Sequence, residues 1–159
     1  MSVALRPVSN DDGDILFEFM SDPESVWMAA FTSEAQSDRA AFDDWTARLR
    51  GAPGVRRRTV VSEGRVVGSI GSFEVDGSTE VTYWIGRAFW GRGIASEALM
   101  IFLGELVVRP IRARAASDNL RSIRVLKKAG FRAIGTEVSF AAARDRPIEE
   151  TIFELGAAT

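Results

Sequence analysis

The amino-acid sequence predicts one α/β (α+β) layered domain spanning residues 1–159, and three observations carry that expectation. The chain is long enough for one buried core, and its 46% hydrophobic and 26% charged residues are those of an ordinary globular protein. Apolar residues recur at helical spacing before residue 50, then give way from residue 56 to short runs rich in branched and aromatic side chains. Beyond residue 86, helical and extended patterns alternate, as they do where helices cover a sheet.

Each element has its own signal. "VALRPV" (3–8) reads as a short strand in which Pro7 suits an edge or an end. "SNDDGDILFEFMSD" (9–22) offers caps and then Ile15, Leu16, Phe19 and Met20 at helical spacing, with Pro23 expected to end the helix. "SVWMAAFTS" (25–33) is aromatic without a period, and residues 33–50 read as a second helix with Phe42, Trp45 and Leu49 on one face. "RRRTVVS" (56–62), "VVGSIGSFEV" (66–75) and "TEVTYWIG" (79–86) read as three strands joined by the turns "EGR" and "DGS". A largely buried helix is expected over 93–108, a strand over 110–117, and a helix over 118–131 opened by Asp118 or Asn119 and closed by Gly130. Residues 131–140 and 147–156 read as two last strands joined by the charged turn "ARDR".

Absences narrow the chemistry. With no cysteine and no histidine there is no disulfide framework, no thiolate nucleophile, no imidazole base and no His/Cys metal site. Proton transfer falls to carboxylates, Tyr83, hydroxyls, lysines or water. A net charge of −2 gives no reason to expect nucleic-acid or membrane binding, and Arg56-Arg57-Arg58 reads as solvated surface. The first residues lack a basic segment followed by an apolar one, and the run 98–108 is too short to span a bilayer, so a cytoplasmic protein is expected.

"FWGRGIASEAL" (89–99) places two glycines around an arginine immediately before the buried helix. Glycines permit positive φ and close backbone approach, while a helix start offers unpaired N–H groups and the positive end of its dipole. Gly91, Arg92, Gly93, Ile94, Ala95 and Ser96 therefore form either a plain turn or a diphosphate seat. The Rossmann and Walker patterns are both absent.

Taken together, "YWIGRAFWGRGIASEAL" (83–99) and "SDNLRSIRVLKKAGF" (117–131) closely resemble the GNAT superfamily of acetyl-CoA-dependent N-acetyltransferases. Trp90 stands where the general motif has Gln or Arg, a departure shared with the RimJ/RimL-like branch, which the opening "LRPVSNDD…LFEFMSDPE" also resembles. The resemblance implies a central, mostly antiparallel, V-splayed sheet of about seven strands flanked by about four helices. It implies acetyl-CoA as cosubstrate with no metal, a primary-amine acceptor (a protein N-terminus or a small amine), and direct transfer within a ternary complex. A homodimer is compatible with the family.

Residue by residue, the resemblance places the main chain of Tyr83, Trp84 and Ile85 along the pantetheine arm, although Trp84 and Ile85 also read as core strand residues. The loop 91–96 would hold the pyrophosphate, and Asn119 and Ser122, three apart on one helix face, would flank the thiol end. Asn119 equally suits an ordinary N-cap. Ser122 becomes the candidate thiolate donor because Leu126 occupies the position of the family's usual tyrosine. Arg92 and Lys128 are candidate phosphate partners, while Arg121 and Arg124 read equally as a solvated face. Glu80 is the first choice for the base, directly or through water, with Glu150 and Glu74 as rivals. Trp27, Met28 and Phe31 are candidates for the acceptor wall or for a core contact. A non-catalytic module that binds acyl-CoA as a sensor is the alternative function, separable by asking whether thiol is released.

Overall fold

A computed structural model describes residues 2–31 and 38–156. Its strands are β1 (Val3–Arg6), β2 (Arg56–Ser62), β3 (Arg65–Val75), β4 (Ser78–Ile85), β5 (Ile111–Ala116), β6 (Arg132–Ala141) and β7 (Arg146–Leu155). Its α-helices are α1 (Gly13–Ser21), α2 (Pro23–Ala29), α3 (Arg39–Leu49), α4 (Ile94–Glu105) and α5 (Leu120–Lys128). The strands form one sheet in the order β1-β2-β3-β4-β5-β7-β6. Neighbours run antiparallel except β4 and β5, which are parallel and share only the rungs Thr79–Ile111 and Glu80–Arg112. Beyond those rungs the two strands part. This is the V-splay that the resemblance implies.

The main core lies where the sheet meets α4 and α5, built on Val60, Ile70, Val81, Leu99, Phe102, Ile111, Leu126 and Phe153. A second cluster seats Leu16, Met20 and Phe42, from α1 and α3, with Trp84 packed against it. Strand alternation explains the division: Val81, Tyr83 and Ile85 point to the α4/α5 face, while Glu80, Thr82 and Trp84 point to the other. Edge strand β6 is exposed along most of its length, with Ile134, Val138 and Phe140 open to solvent.

Asp12 ties the N-terminal part together. It accepts two hydrogen bonds from Arg6 (2.7 and 2.9 Å), one from the Ser9 N–H (2.9 Å) and one from the Thr59 hydroxyl (2.8 Å). Arg6 foremost, against the opposing effect of burial, lowers its pKa to about 2.

The structure corrects the sequence reading at Pro23. Pro23 does not merely end α1; it occupies the first turn of α2, a helix made from the stretch that shows no period. The Asp22 side chain accepts the Ser25 N–H at 3.0 Å, and proline at the helix start loses no hydrogen bond. The described residues therefore hold five α-helices rather than about four. The expected start of the next helix, residues 33–37, lies outside the described residues; α3 is seen from Asp38, whose side chain caps it.

Two further boundaries have local causes. α4 stops at Glu105, short of the expected Val108, where Arg109 donates to the carbonyls of Leu103, Leu106 and Val108. α5 opens on Asn119 and closes at Gly130, φ 98°, with Gly130 and Phe131 donating back to Lys127 and Leu126. That pair of bonds is the Schellman closure that a left-handed glycine makes available.

Candidate active site

The splay leaves main-chain groups of β4 without a strand partner. Gly86 N–H donates to Val67 O at 2.9 Å, which fixes the alternation of the antiparallel β3–β4 ladder. Trp84 thus turns its main chain to β3, and Tyr83 and Ile85 turn theirs to the gap. Trp90 Nε1 donates to the Ile85 carbonyl at 2.9 Å, which leaves the Tyr83 N–H and C=O and the Ile85 N–H along an open strand edge. Trp84 instead contributes its side chain, and its indole donates to Phe19 O at 3.0 Å. A cleft opens here, lined by Tyr83, Ile85, Trp90, Ala95, Asn119, Ser122 and, from α2, Met28.

The glycine loop closes one end of this cleft. Gly91 (φ 77°) and Gly93 (φ 78°) are both left-handed, and a Cβ at either would meet nothing within 4 Å. Conformation, not crowding, is what requires glycine here. Gly93 is the N-cap of α4 and makes no side-chain cap, and the first helical bond runs from Glu97 N–H to Gly93 O. The N–H groups of Ile94, Ala95 and Ser96 are left without helical acceptors, as at any helix start. Two cations flank them: Arg92 lies 5.8 Å from the Phe89 ring centroid and Arg121 4.5 Å from that of Trp90. An open strand edge suits the amide-bearing pantetheine arm, and an uncapped helix start with flanking arginines suits the pyrophosphate. Lys128 is exposed at the opposite end of α5, about 9 Å along the helix axis from Ser122.

From α5, Asn119 does serve as the N-cap, accepting the Ser122 N–H at 3.2 Å, and it also reaches Met28 O with its amide at 3.4 Å. Ser122 Oγ lies 2.8 Å from the Tyr83 hydroxyl. Burial pushes the Tyr83 phenol up to about 12, with Ser122 pulling the other way. Leu126 is fully buried core, so no side chain at that position reaches the cleft as an acid.

The carboxylate candidates separate clearly. Glu80 sits on the last rung before the splay, on the opposite face of β4 from Tyr83, and is buried. Its Oε1 accepts from Arg114 Nε at 2.9 Å. The same guanidinium reaches Glu137 at 2.8 Å and Glu150 at 3.1 Å. These partners, Glu80 first, drive the Arg114 pKa above its ordinary value. Glu80 and Glu150 are thus brought together on one cation, whereas Glu74 stands on β3, paired with Thr79 and beside Gly54.

Of the acceptor-wall candidates, Met28 lines the cleft, Phe31 packs on the small cluster of Ala30, Ala116 and Ala141, and Trp27 is half exposed under Arg144. Arg144 and Arg114 escape a sequence reading, since both look like surface charges; Arg144 is buried, while Arg114 stays exposed and is revealed only by its three carboxylate partners. Tyr83 carried a signal for its side chain as well, being the chain's single tyrosine on a strand of core residues.

With this geometry in view, comparison with known proteins is informative. Residues 2–132 match the family model described as an acetyltransferase (GNAT) domain. An uncharacterized N-acetyltransferase p20 of Bacillus licheniformis is 28% identical over 165 residues, covering 96% of this chain and 92% of that protein. The fold is also that of a spermidine N-acetyltransferase from Vibrio cholerae, solved in complex with CoA and spermine (TM-score 0.85, 15% identity, 97% of this chain and 95% of that one). Mycobacterium smegmatis RimJ, in complex with CoA-disulfide, matches with a TM-score of 0.80 at 22% identity, over 98% of this chain and 82% of its own. The chain belongs to the GNAT acetyltransferases, in the RimJ/RimL-type family, and is an acetyl-CoA-dependent N-acetyltransferase.

Proposed function

We propose that the protein moves an acetyl group directly to a primary amine, either a protein N-terminus or a small amine, in a ternary complex. The observation that carries this reading is the open β4 edge set against the uncapped start of α4, which together form a track for an amide-bearing arm ending in a diphosphate. Acetyl-CoA, when bound, supplies the activated thioester. Tyr83 and Ile85 offer their main-chain groups to the arm. The amides of residues 93–96, with Arg92, Arg121 and Lys128, take the phosphates.

With neither cysteine nor histidine in the chain, a serine lacks the base that an acyl-enzyme would need, and positioning contributes much of the rate. Ser122 donates a hydrogen bond to the departing sulfur. Glu80, through water, takes the proton that the amine loses. Met28, with Trp27 and Phe31 from the same segment, forms the acceptor side, and the structural likeness to a spermidine acetyltransferase favours including polyamines among the amines tried.

The test has two arms. Calorimetry with CoA should show association that weakens when Gly93 is replaced. Thiol release from acetyl-CoA should appear with one or more members of a panel of peptides with free N-termini, polyamines and aminoglycosides. Binding without turnover on any amine would make the chain an acyl-CoA sensor, and no heat of association would end both readings.

A further inference from the structure

We propose that the phenol of Tyr83 is a positioning residue for Ser122, holding that hydroxyl ready to donate toward the sulfur at the mouth of the splay. The proposal rests on the acetyl-transfer reading above. Its basis is one half-buried contact between β4 and α5: β4 carries Tyr83 on the α5 side, and its hydroxyl sits 2.8 Å from Ser122 Oγ and 3.3 Å from the Ser122 carbonyl oxygen. The phenol O–H therefore has two acceptors on one residue.

That choice matters for what Ser122 can do. When Ser122 donates to the phenol oxygen, the phenol donates to the Ser122 carbonyl, and both groups are satisfied. When Ser122 swings its hydrogen toward a developing negative charge on sulfur, the phenol turns to Oγ and donates there. The serine oxygen then keeps a partner, and a chain of two donors points at the sulfur, each polarising the next. Without the phenol, a serine on the first turn of a helix has its own backbone as a competing acceptor.

The pair supplies a hydrogen bond and not a proton. A phenol pushed up to about 12 is a far weaker acid than an ordinary thiol, whose pKa is about 8.5. The C–S electron pair leaves on sulfur, the thiolate is held by Ser122 O–H, and its proton comes from solvent.

The single tyrosine makes the test clean, because fluorotyrosine incorporated throughout the chain labels this phenol alone. One fluorine resonance is followed with CoA and with desulfo-CoA. The two ligands should shift it differently, and the difference should vanish in Ser122→Ala. A difference that persists unchanged in Ser122→Ala, or no difference in the parent, overturns the proposal without touching the acetyltransferase reading. Kinetics with the fastest amine of the panel adds a second readout. Tyr83→Phe should lower kcat about three- to tenfold, the size of one lost hydrogen bond, with little change in the KM for acetyl-CoA. In the Ser122→Ala background the same change should lower kcat less than about twofold. Equal loss in both backgrounds would make Tyr83 a packing residue only. Failure of every amine would sink the acetyl-transfer reading, while the fluorine comparison would still judge the contact.

Discussion

Arg144 donates from Nε to the carbonyl oxygen of Trp27 at 3.0 Å while its guanidinium lies over the indole of the same residue, 4.9 Å from the ring centroid. Its two outer nitrogens grip Asp118, the residue before the cap of α5, and lower the Asp118 pKa. Nearby, Ala143 N–H donates to Ala30 O, and Ala30 holds φ 68°, ψ −45°, with Phe31 N–H on Ala29 O at 2.7 Å. That is a γ-turn of the rare positive-φ kind, which persists only where its surroundings over-determine it. The β6–β7 connection therefore latches the end of α2 to the start of α5, joining the proposed acceptor wall to the proposed cofactor side. Arg144→Ala should cost about 2 kcal/mol in urea unfolding, since a carbonyl, a stacked ring and a forked pair lose their partner together. Lysine should not rescue it, because it lacks the fork and the plane. A raised acceptor KM with an unchanged KM for acetyl-CoA would place the damage on the α2 side.

The glycine loop predicts two opposite signs within one helix. Gly93→Ala forces a side chain into left-handed backbone and should destabilise by about 1 kcal/mol while weakening CoA binding in calorimetry. Gly104→Ala, an exposed position inside α4 where a Cβ meets nothing within 4 Å, should stabilise by about 0.5–1 kcal/mol and leave CoA binding alone. Equal destabilisation by both would remove the conformational argument for the loop.

How far the sequence could be read follows from where each signal resides. Strands with runs of branched residues and turns marked by glycine were legible to within a residue or two, as with "RRRTVVS" and Arg56–Ser62. Asn119 as cap and Gly130 as stop were legible because capping chemistry is local. α2 was not, because its stability comes from an Asp22 cap, Pro23 at the first turn and contacts from distant Asn119 and Arg144, none of which makes a period. Trp84 was legible as a site neighbour but not in its direction, which depends on ladder alternation fixed by β3. The Arg114 cluster draws on β4, β5, β6 and β7, so nothing in any one segment announces it.

Asp12 sets an acid limit on stability. Its folded pKa, about 2 against an ordinary 3.8, is depressed chiefly by Arg6, so it contributes stability fully present above about pH 4 and lost as pH falls through about 2. Each tenfold gain in acid strength on folding is worth about 1.4 kcal/mol, which makes the contribution at neutral pH about 2 kcal/mol. Asp12→Asn should therefore lower the urea midpoint clearly at pH 7, with the gap to the parent closing as pH falls from about 4 to about 2. A gap that stays constant across that range would mean that Asp12 acts by shape and not by charge.

The Arg114 hydrogen bond to Glu80 is made to Oε1, and the proposed water-mediated role falls to the second carboxylate oxygen. Arg114 also holds Glu150, so on the proposed reading both carboxylates are candidates for the base. Substitution separates them. Glu80→Gln keeps the size and can still accept from Arg114, so the fold should survive; kcat should fall about a hundredfold or more, the usual worth of a positioned base. The acidic limb of its kcat/KM profile should disappear with it, while Glu150→Gln should retain that limb. The reverse pattern would move the base to β7, on the far side of the same guanidinium. A limb that survives both changes would place amine deprotonation outside this cluster altogether.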